Sequence, residues 1–158
     1  MMYTQLQQKL LDLVQEKKSR RVFVYYEKPG EVAVSPLFQK LLSLKIEVYV
    51  PVFVDSWGIT KLKTLEFIEG KYRVRMPKQF LKVFKTLNEI GFESNDIAIV
   101  PGKKFEKYGH RIGHGLGIYD RYLEDSLCFK IGVCFEKQIT KNLAQKPHDV
   151  KMDLVISV

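Results

Sequence analysis

The 158-residue sequence predicts a three-layer α/β fold: a mostly parallel sheet with helices on both faces. Three observations carry that expectation. Short apolar runs at Val22–Tyr26, Ile46–Val50, Ile97–Val100, Lys130–Phe135 and Leu154–Val158 read as strands, and the continuous ones suit burial on both faces. Segments whose apolar residues fall three or four apart lie between several of these runs. Strand and helix therefore alternate, which builds βαβ units and a parallel sheet.

Taken in order, Leu6, Leu10, Leu13 and Val14 form the apolar face of an opening helix that ends in the charge run EKKSRR. The strand Val22–Tyr26 follows, then the turn EKPGE, where Pro and Gly interrupt regular structure. Ser35–Pro36 predicts a helix start, with the serine oxygen accepting an orphan N–H and the proline already at helical φ. Leu37, Leu41, Leu42 and Leu44 supply that helix's buried face, and the strand Ile46–Val50 is ended by Pro51. In the middle, Leu62–Ile68 and Tyr72–Val74 are expected to pair around Glu69–Gly70, and Phe80–Leu87 has a helical pattern. After Ile97–Val100 comes the loop PGKKFEKYGHRIGHGLG. A helix over Tyr119–Leu127, the strand Lys130–Phe135, a helical turn or short helix over Lys137–Ala144 and the strand Leu154–Val158 complete the chain. With no repeat, low-complexity stretch or linker, one domain over residues 1–158 is expected.

Composition excludes several classes. No apolar run approaches the roughly 20 residues needed to cross a bilayer. The opening MMYTQLQQKLLDLVQEKK is polar between its leucines, unlike a signal peptide, so a cytoplasmic location is expected. Cys128 and Cys134 have no CxxC spacing, and Cys134 within IGVCF reads as a small buried hydrophobe. His110, His114 and His148 show no metal-ligand spacing such as HExxH. The net charge of +8 favours anionic ligands, polyphosphates, polycarboxylates or nucleic acid. The bases are interleaved with acids, however, and no single-sign block marks a nucleic-acid tail.

The chemistry is expected in RIGHGLGIYD. Gly113, Gly115 and Gly117 alternate between a strand and a helix, where glycine permits positive φ and brings backbone N–H groups close to a ligand. Successive N–H groups there make a nest for an anion. Arg111 adds a charge able to fork onto phosphate. Asp120 offers hard oxygens to Mg²⁺, which takes one or two carboxylates beside phosphate oxygens and water. The glycine pattern alone is not the dinucleotide fingerprint, because Ile118 holds the third glycine's place, and no Gly-Lys-Ser/Thr makes it a P-loop. By itself it is also compatible with a tight turn that binds nothing.

The longer string decides more. DIAIVPGKKFEKYGHRIGHGLGIYDRYL, then KIGVCFEKQI, then KPHDVKMDLVIS resembles the 5-formyltetrahydrofolate cyclo-ligase family, in motif order and in spacing across Asp96–Ser157. Weaker likeness runs back through GEVAVSPLF and Val22–Tyr25. The resemblance implies conversion of 5-formyltetrahydrofolate to 5,10-methenyltetrahydrofolate with ATP and Mg²⁺. In that chemistry the formyl oxygen attacks the γ-phosphate, N10 attacks the activated carbon, and phosphate leaves. The protein then works by positioning and charge stabilisation. By motif position, Arg111 and Asp120 would be catalytic, and Asp120 and Asp149 would hold the metal. Arg111 and the stretch Gly113, His114, Gly115, Leu116, Gly117, Ile118 and Tyr119 would bind the nucleotide. Tyr119 and Glu31 would bind the folate, a carboxylate suiting the paired N–H donors of the pterin edge.

The family's usual lysine between the second and third glycines is Leu116 here, and the first tyrosine of its Tyr-Tyr-Asp is Ile118. The opening segment aligns with the family's second helix, which leaves Lys9 as the only base in that region. The partners implied are 5-formyltetrahydrofolate and ATP, with no membrane, on a monomer or weak homodimer. Two alternatives stand beside this reading: a relative that binds folate or nucleotide without turnover, and a nucleic-acid binder acting through its basic surface.

Overall fold

A computed structural model gives the structure, and it describes residues 2–158. Helix α1 (Met2–Glu16) is followed by strand β1 (Arg21–Val24) and helix α2 (Leu37–Ser43). Strands β2 (Glu47–Val54) and β3 (Ser56–Lys61) form one hairpin, and β4 (Phe67–Glu69) and β5 (Arg75–Pro77) another. Then come α3 (Leu87–Ile90), β6 (Ile97–Val100), β7 (Lys104–Glu106), β8 (Arg111–Ile112) and α4 (Ile118–Leu123). The chain ends with β9 (Phe129–Cys134), β10 (Ile139–Thr140) and β11 (Leu154–Ser157).

The main sheet has six strands in the order β11-β9-β6-β1-β2-β3, parallel throughout except for β2–β3. All four residues of β6 are fully buried, as its continuous apolar run demands. Alternation along β1 sends Val22 and Val24 to one face and Phe23 to the other. The first face carries Leu6, Leu10 and Val14 of α1 with Leu37, Phe38 and Leu41 of α2. The second carries Leu87 of α3 with Tyr122 and Leu123 of α4. These are the three layers expected. Helix α1 has no acid in its first turn and no base in its last, so charges within its own end turns do little for its macrodipole. Burial of Leu6, Leu10 and Val14 holds it instead, each side chain contributing about 1.5–3 kcal/mol.

Several local expectations are corrected. Pro51 does not end its strand, because β2 runs on to Val54. Parallel pairing with β1 stops at Tyr49, so no ladder bond is lost where the proline lacks its N–H. Opposite Pro51, Ile59 turns its own N–H and C=O away toward Phe84, at 2.8 and 2.7 Å. The serine cap at Ser35 is also replaced. Its hydroxyl donates to Glu27 Oε1 at 2.6 Å, while Glu27 Oε2 accepts the N–H groups of Val34 and Ser35. A carboxylate eight residues upstream thus anchors the start of α2.

Phe80–Leu87 is not helical. Phe84 bridges Ile59 along the edge of β3, and Thr60 Oγ1 donates to the carbonyl of Lys82 at 2.6 Å, so tertiary pairing overrides the periodicity. Helix begins only at Leu87, capped by Thr86, whose Oγ1 accepts from the Glu89 N–H at 3.0 Å. The expected pairing around Glu69–Gly70 is real but displaced to β4 and β5. The helix expected over Tyr119–Leu127 stops at Leu123, since Glu124 is extended and Asp125 has φ 56°. Lys137–Ala144 gives a 3-10 turn over Glu136–Gln138 and then strand β10.

The long loop after β6 contains structure the sequence did not reveal. It folds into the β7–β8 hairpin, which β10 extends into a three-stranded sheet. Phe105 of β7 is fully buried against β9, where a Cβ on Gly132 would lie 2.3 Å from its ring. Gly132 therefore admits the hairpin to the face of the main sheet. Replacing it with alanine should destabilise the protein by about 1–3 kcal/mol through overpacking. Urea denaturation of Gly132→Ala checks this, and a wild-type midpoint would show that the hairpin does not depend on the contact.

Candidate active site

The hairpin fixes the residue around which the site is arranged. Arg111 of β8 pairs with Phe105, so the docking of Phe105 also places the arginine beneath the carboxyl end of β6. Its Nε donates to the Pro101 carbonyl at 2.6 Å, and its side chain is only 4% exposed. Nη1 lies 3.9 Å from Asp120 Oδ1, and the guanidinium sits 5.2 Å from the centre of the Tyr119 ring. A Cβ on Gly113 would come within 3.1 Å of Nη2, so the first loop glycine makes room for this group. Burial pulls the Arg111 pKa down and Asp120 opposes that shift. A guanidinium stays charged at neutral pH regardless.

The loop then turns into α4. Gly115 and Gly117 have φ 94° and 65°, conformations that a side chain would strain. Arg121 Nη2 donates to the Leu116 carbonyl at 3.0 Å and ties the loop to the helix it precedes. Beside this loop lies a cavity of about 270 Å³. His114, Leu116, Gly117, Ile118 and Tyr119 line it together with Arg111, Pro101 and Gly102. Glu31, Tyr26, Trp57, Tyr72 and Arg75 line it from the other elements. Glu31 Oε1 accepts the N–H of Lys28 at 2.8 Å. Burial pushes its carboxyl above the usual range, while the Lys28 N–H and charge act the other way.

The cavity therefore brings together Glu31, Arg111, His114, Leu116, Gly117, Ile118 and Tyr119. Gly113, Gly115, Asp120 and Asp149 lie outside its lining. Asp120 Oδ1 accepts the Val150 N–H at 3.1 Å, which brings the chain next to Asp149 alongside it. Asp149 Oδ2 accepts the Lys146 N–H at 2.8 Å, and its Oδ1 is 3.8 Å from His148 Nε2. Among the described residues no three His, Cys, Asp or Glu side chains gather as a metal cluster. Asp120 and Asp149 supply hard carboxylate oxygens, the ligand type Mg²⁺ takes, and that ion uses few protein ligands.

Sequence reading missed Tyr26, Lys28, Trp57, Tyr72 and Arg75. Trp57 stacks on Tyr72 with centroids 5.8 Å apart and planes at 25°, Lys28 Nζ lies 5.9 Å from the Trp57 ring, and Arg75 lies 5.5 Å from the Tyr26 ring. These aromatics read as ordinary core. The only available signal was the spacing of Trp57 and Ile59, two apart and so on one face of β3. Nothing in the sequence says that this face continues into a cavity.

A model of the 5-formyltetrahydrofolate cyclo-ligase family matches residues 2–158. The chain belongs to that family. A probable 5-formyltetrahydrofolate cyclo-ligase of Caenorhabditis elegans is 27% identical over 94% of this chain and 78% of its own length. The 5-formyltetrahydrofolate cyclo-ligase of Haemophilus influenzae is 26% identical over 92% of this chain and 79% of its own. The NMR structure of the Aquifex aeolicus 5,10-methenyltetrahydrofolate synthetase superposes with a TM-score of 0.69 at 23% identity, covering 99% of this chain and 90% of that one. That likeness shows the α/β fold. This is thus a chain of an enzyme family, and no described helix is long and apolar enough to cross a membrane.

Glu31 makes the site's electrostatics testable without any ligand. Its folded pKa is raised, so the folded state holds its proton to higher pH than the unfolded chain does. Stability contributed by this group is then full below its unfolded pKa and declines as pH rises through the folded one. Glu31→Gln keeps an acceptor for Lys28 and removes the charge. Its stability relative to wild type should rise between acid and neutral pH. Denaturation midpoints of both proteins across that range check this, and a constant difference would contradict it.

Proposed function

We propose that this chain converts 5-formyltetrahydrofolate to 5,10-methenyltetrahydrofolate at the expense of ATP. The observation that carries the reading is one cavity in which a carboxylate, Glu31, shares the lining with a glycine-rich loop and a buried guanidinium, Arg111. Family membership supports the same conclusion.

In this reading Glu31 accepts the paired N–H donors of the pterin, with the Tyr119 ring beside it. The N–H groups of the Gly113–Gly117 stretch and the Arg111 guanidinium receive the polyphosphate. Arg111 is held in place by Pro101 and Asp120 before any ligand arrives, so little reorganisation is needed as charge moves during transfer. The protein's task is to hold the formyl oxygen in line with the γ-phosphorus, then to leave N10 within reach of the activated carbon. Asp120 and Asp149 are the residues that would hold Mg²⁺, whose chemistry when bound is neutralisation of phosphate charge. The same reading takes the protein as a one-domain monomer or weak homodimer acting in the cytoplasm.

The purified protein with Mg-ATP and 5-formyltetrahydrofolate should form the methenyl chromophore. Saturable binding without turnover at high ATP would reject the enzymatic reading. Asp120→Asn keeps an oxygen for the Val150 N–H but removes the carboxylate facing Arg111, so it should lower the Tm. The variant, shown to be folded by circular dichroism, should lose turnover by two or more orders of magnitude. A normal rate would remove Asp120 from the chemistry.

Leu116 is 60% exposed and lines the cavity where the family usually has a lysine. A charge-assisted hydrogen bond is worth about 1.5–3 kcal/mol, so Leu116→Lys should lower KM for ATP by roughly tenfold or more. KM for the folate should stay unchanged. An unaltered KM for ATP would mean that residue 116 does not face the polyphosphate.

A further inference from the structure

Tyr122 of α4 is 1% exposed, yet its hydroxyl has no hydrogen-bond partner in the protein. Its ring is fully used, edge-on to Phe23 at 5.6 Å and to Tyr119 at 5.5 Å. A phenylalanine would make these same contacts, so packing does not explain the oxygen. Buried polar groups in native proteins are nearly always paired, so a hydroxyl with no protein partner takes one from water or from a ligand.

Its position says where that partner comes from. A second cavity, of about 480 Å³, lies next to the first. Trp57, Ile118 and Tyr122 line both and so form the partition between them. Tyr122 thus reaches the lining of the first cavity with a hydroxyl that no protein group accepts from. Burial raises the Tyr122 pKa, so the group is an O–H donor at every physiological pH. In the same cavity Glu31 takes N–H donors, and a reduced formyl-folate also presents carbonyl acceptors that a carboxylate cannot serve.

Resting on the proposed folate reading, we propose that Tyr122 is a specificity-determining residue whose hydroxyl donates to a carbonyl oxygen of the bound folate. Two oxygens have this chemistry, the formyl oxygen at N5 and the ring oxygen of the pterin. In either case the donor has no protein acceptor in the free chain and gains a ligand acceptor in the complex. Removing it should thus spare or favour the empty fold while weakening the complex, a combination that a purely structural role would not produce.

The test compares wild type with Tyr122→Phe. Trp57 is the chain's only tryptophan and stands in the partition, so its fluorescence reports cavity occupancy. Three probes are titrated without nucleotide: 5-formyltetrahydrofolate, tetrahydrofolate, and a folate analogue with an amino group in place of the pterin ring oxygen. The variant's free-protein Tm should equal or exceed that of wild type, and its Kd for 5-formyltetrahydrofolate should rise by about three- to tenfold. A loss confined to 5-formyltetrahydrofolate assigns the formyl oxygen. A loss shared with tetrahydrofolate and absent for the amino analogue assigns the ring oxygen. An unchanged Kd for 5-formyltetrahydrofolate, an equal loss for all three probes, or a clear drop in free-protein Tm would each overturn the proposal. Wild type that binds no folate would overturn the functional reading beneath it, an outcome visible before the variant is made.

Discussion

The site depends on a buried positive charge that the protein neutralises only in part. Arg111 gives Nε to the Pro101 carbonyl and faces Asp120 at 3.9 Å, which is longer than a close ion pair. Moving a charge out of water is costly, and an incomplete partner leaves much of that cost standing. The chain tolerates it because three elements are locked at this point. The end of β6 supplies the carbonyl, β8 supplies the arginine, and α4 supplies the carboxylate. In the proposed reading an entering polyphosphate would complete the neutralisation, so the feature that burdens the empty fold would favour the loaded one.

The rest of the architecture can be read as support for that arrangement. Phe105 docks the hairpin on Gly132, and the register Phe105↔Arg111 carries the docking over to the guanidinium. On the other side of the cavity, Glu27 anchors the start of α2 and the turn before it. Glu31 is held by the Lys28 N–H within that turn. One acid in the turn is spent on structure and the other remains to face the cavity.

The parts of the molecule governed by local pattern were legible in the sequence. The run Ile97–Val100 is β6 residue for residue, because a strand buried on both faces has no choice but continuous apolar side chains. The two helix-covered faces follow from alternation in β1 and the spacing in α1 and α2. Parts settled by long-range pairing were not. Phe80–Leu87 carries a helical period but its Phe84 is drawn to the edge of β3, and Pro51 sits within a strand because its neighbour stops short. In the site, the glycine loop announced itself through backbone needs that only glycine meets. Trp57, Tyr72 and Arg75 did not, since their role arises from two hairpins meeting a loop from another part of the chain.

The same edge pairing has a further consequence, for how copies of this chain behave toward one another. A sheet ending in an open strand offers its unpaired amides to any passing strand and so invites intermolecular addition. Here the outward amide and carbonyl of Ile59 are taken by Phe84, and the Thr60 hydroxyl holds Lys82. Gly58 has no side chain where Val83 packs, since a Cβ would lie 2.2 Å from Val83 Cγ1. Residues 82–84 thus act as a built-in guard on that border of the sheet. Whenever they are undocked that border is bare, so loosening of residues 82–84 would expose a strand edge able to add a strand from another copy.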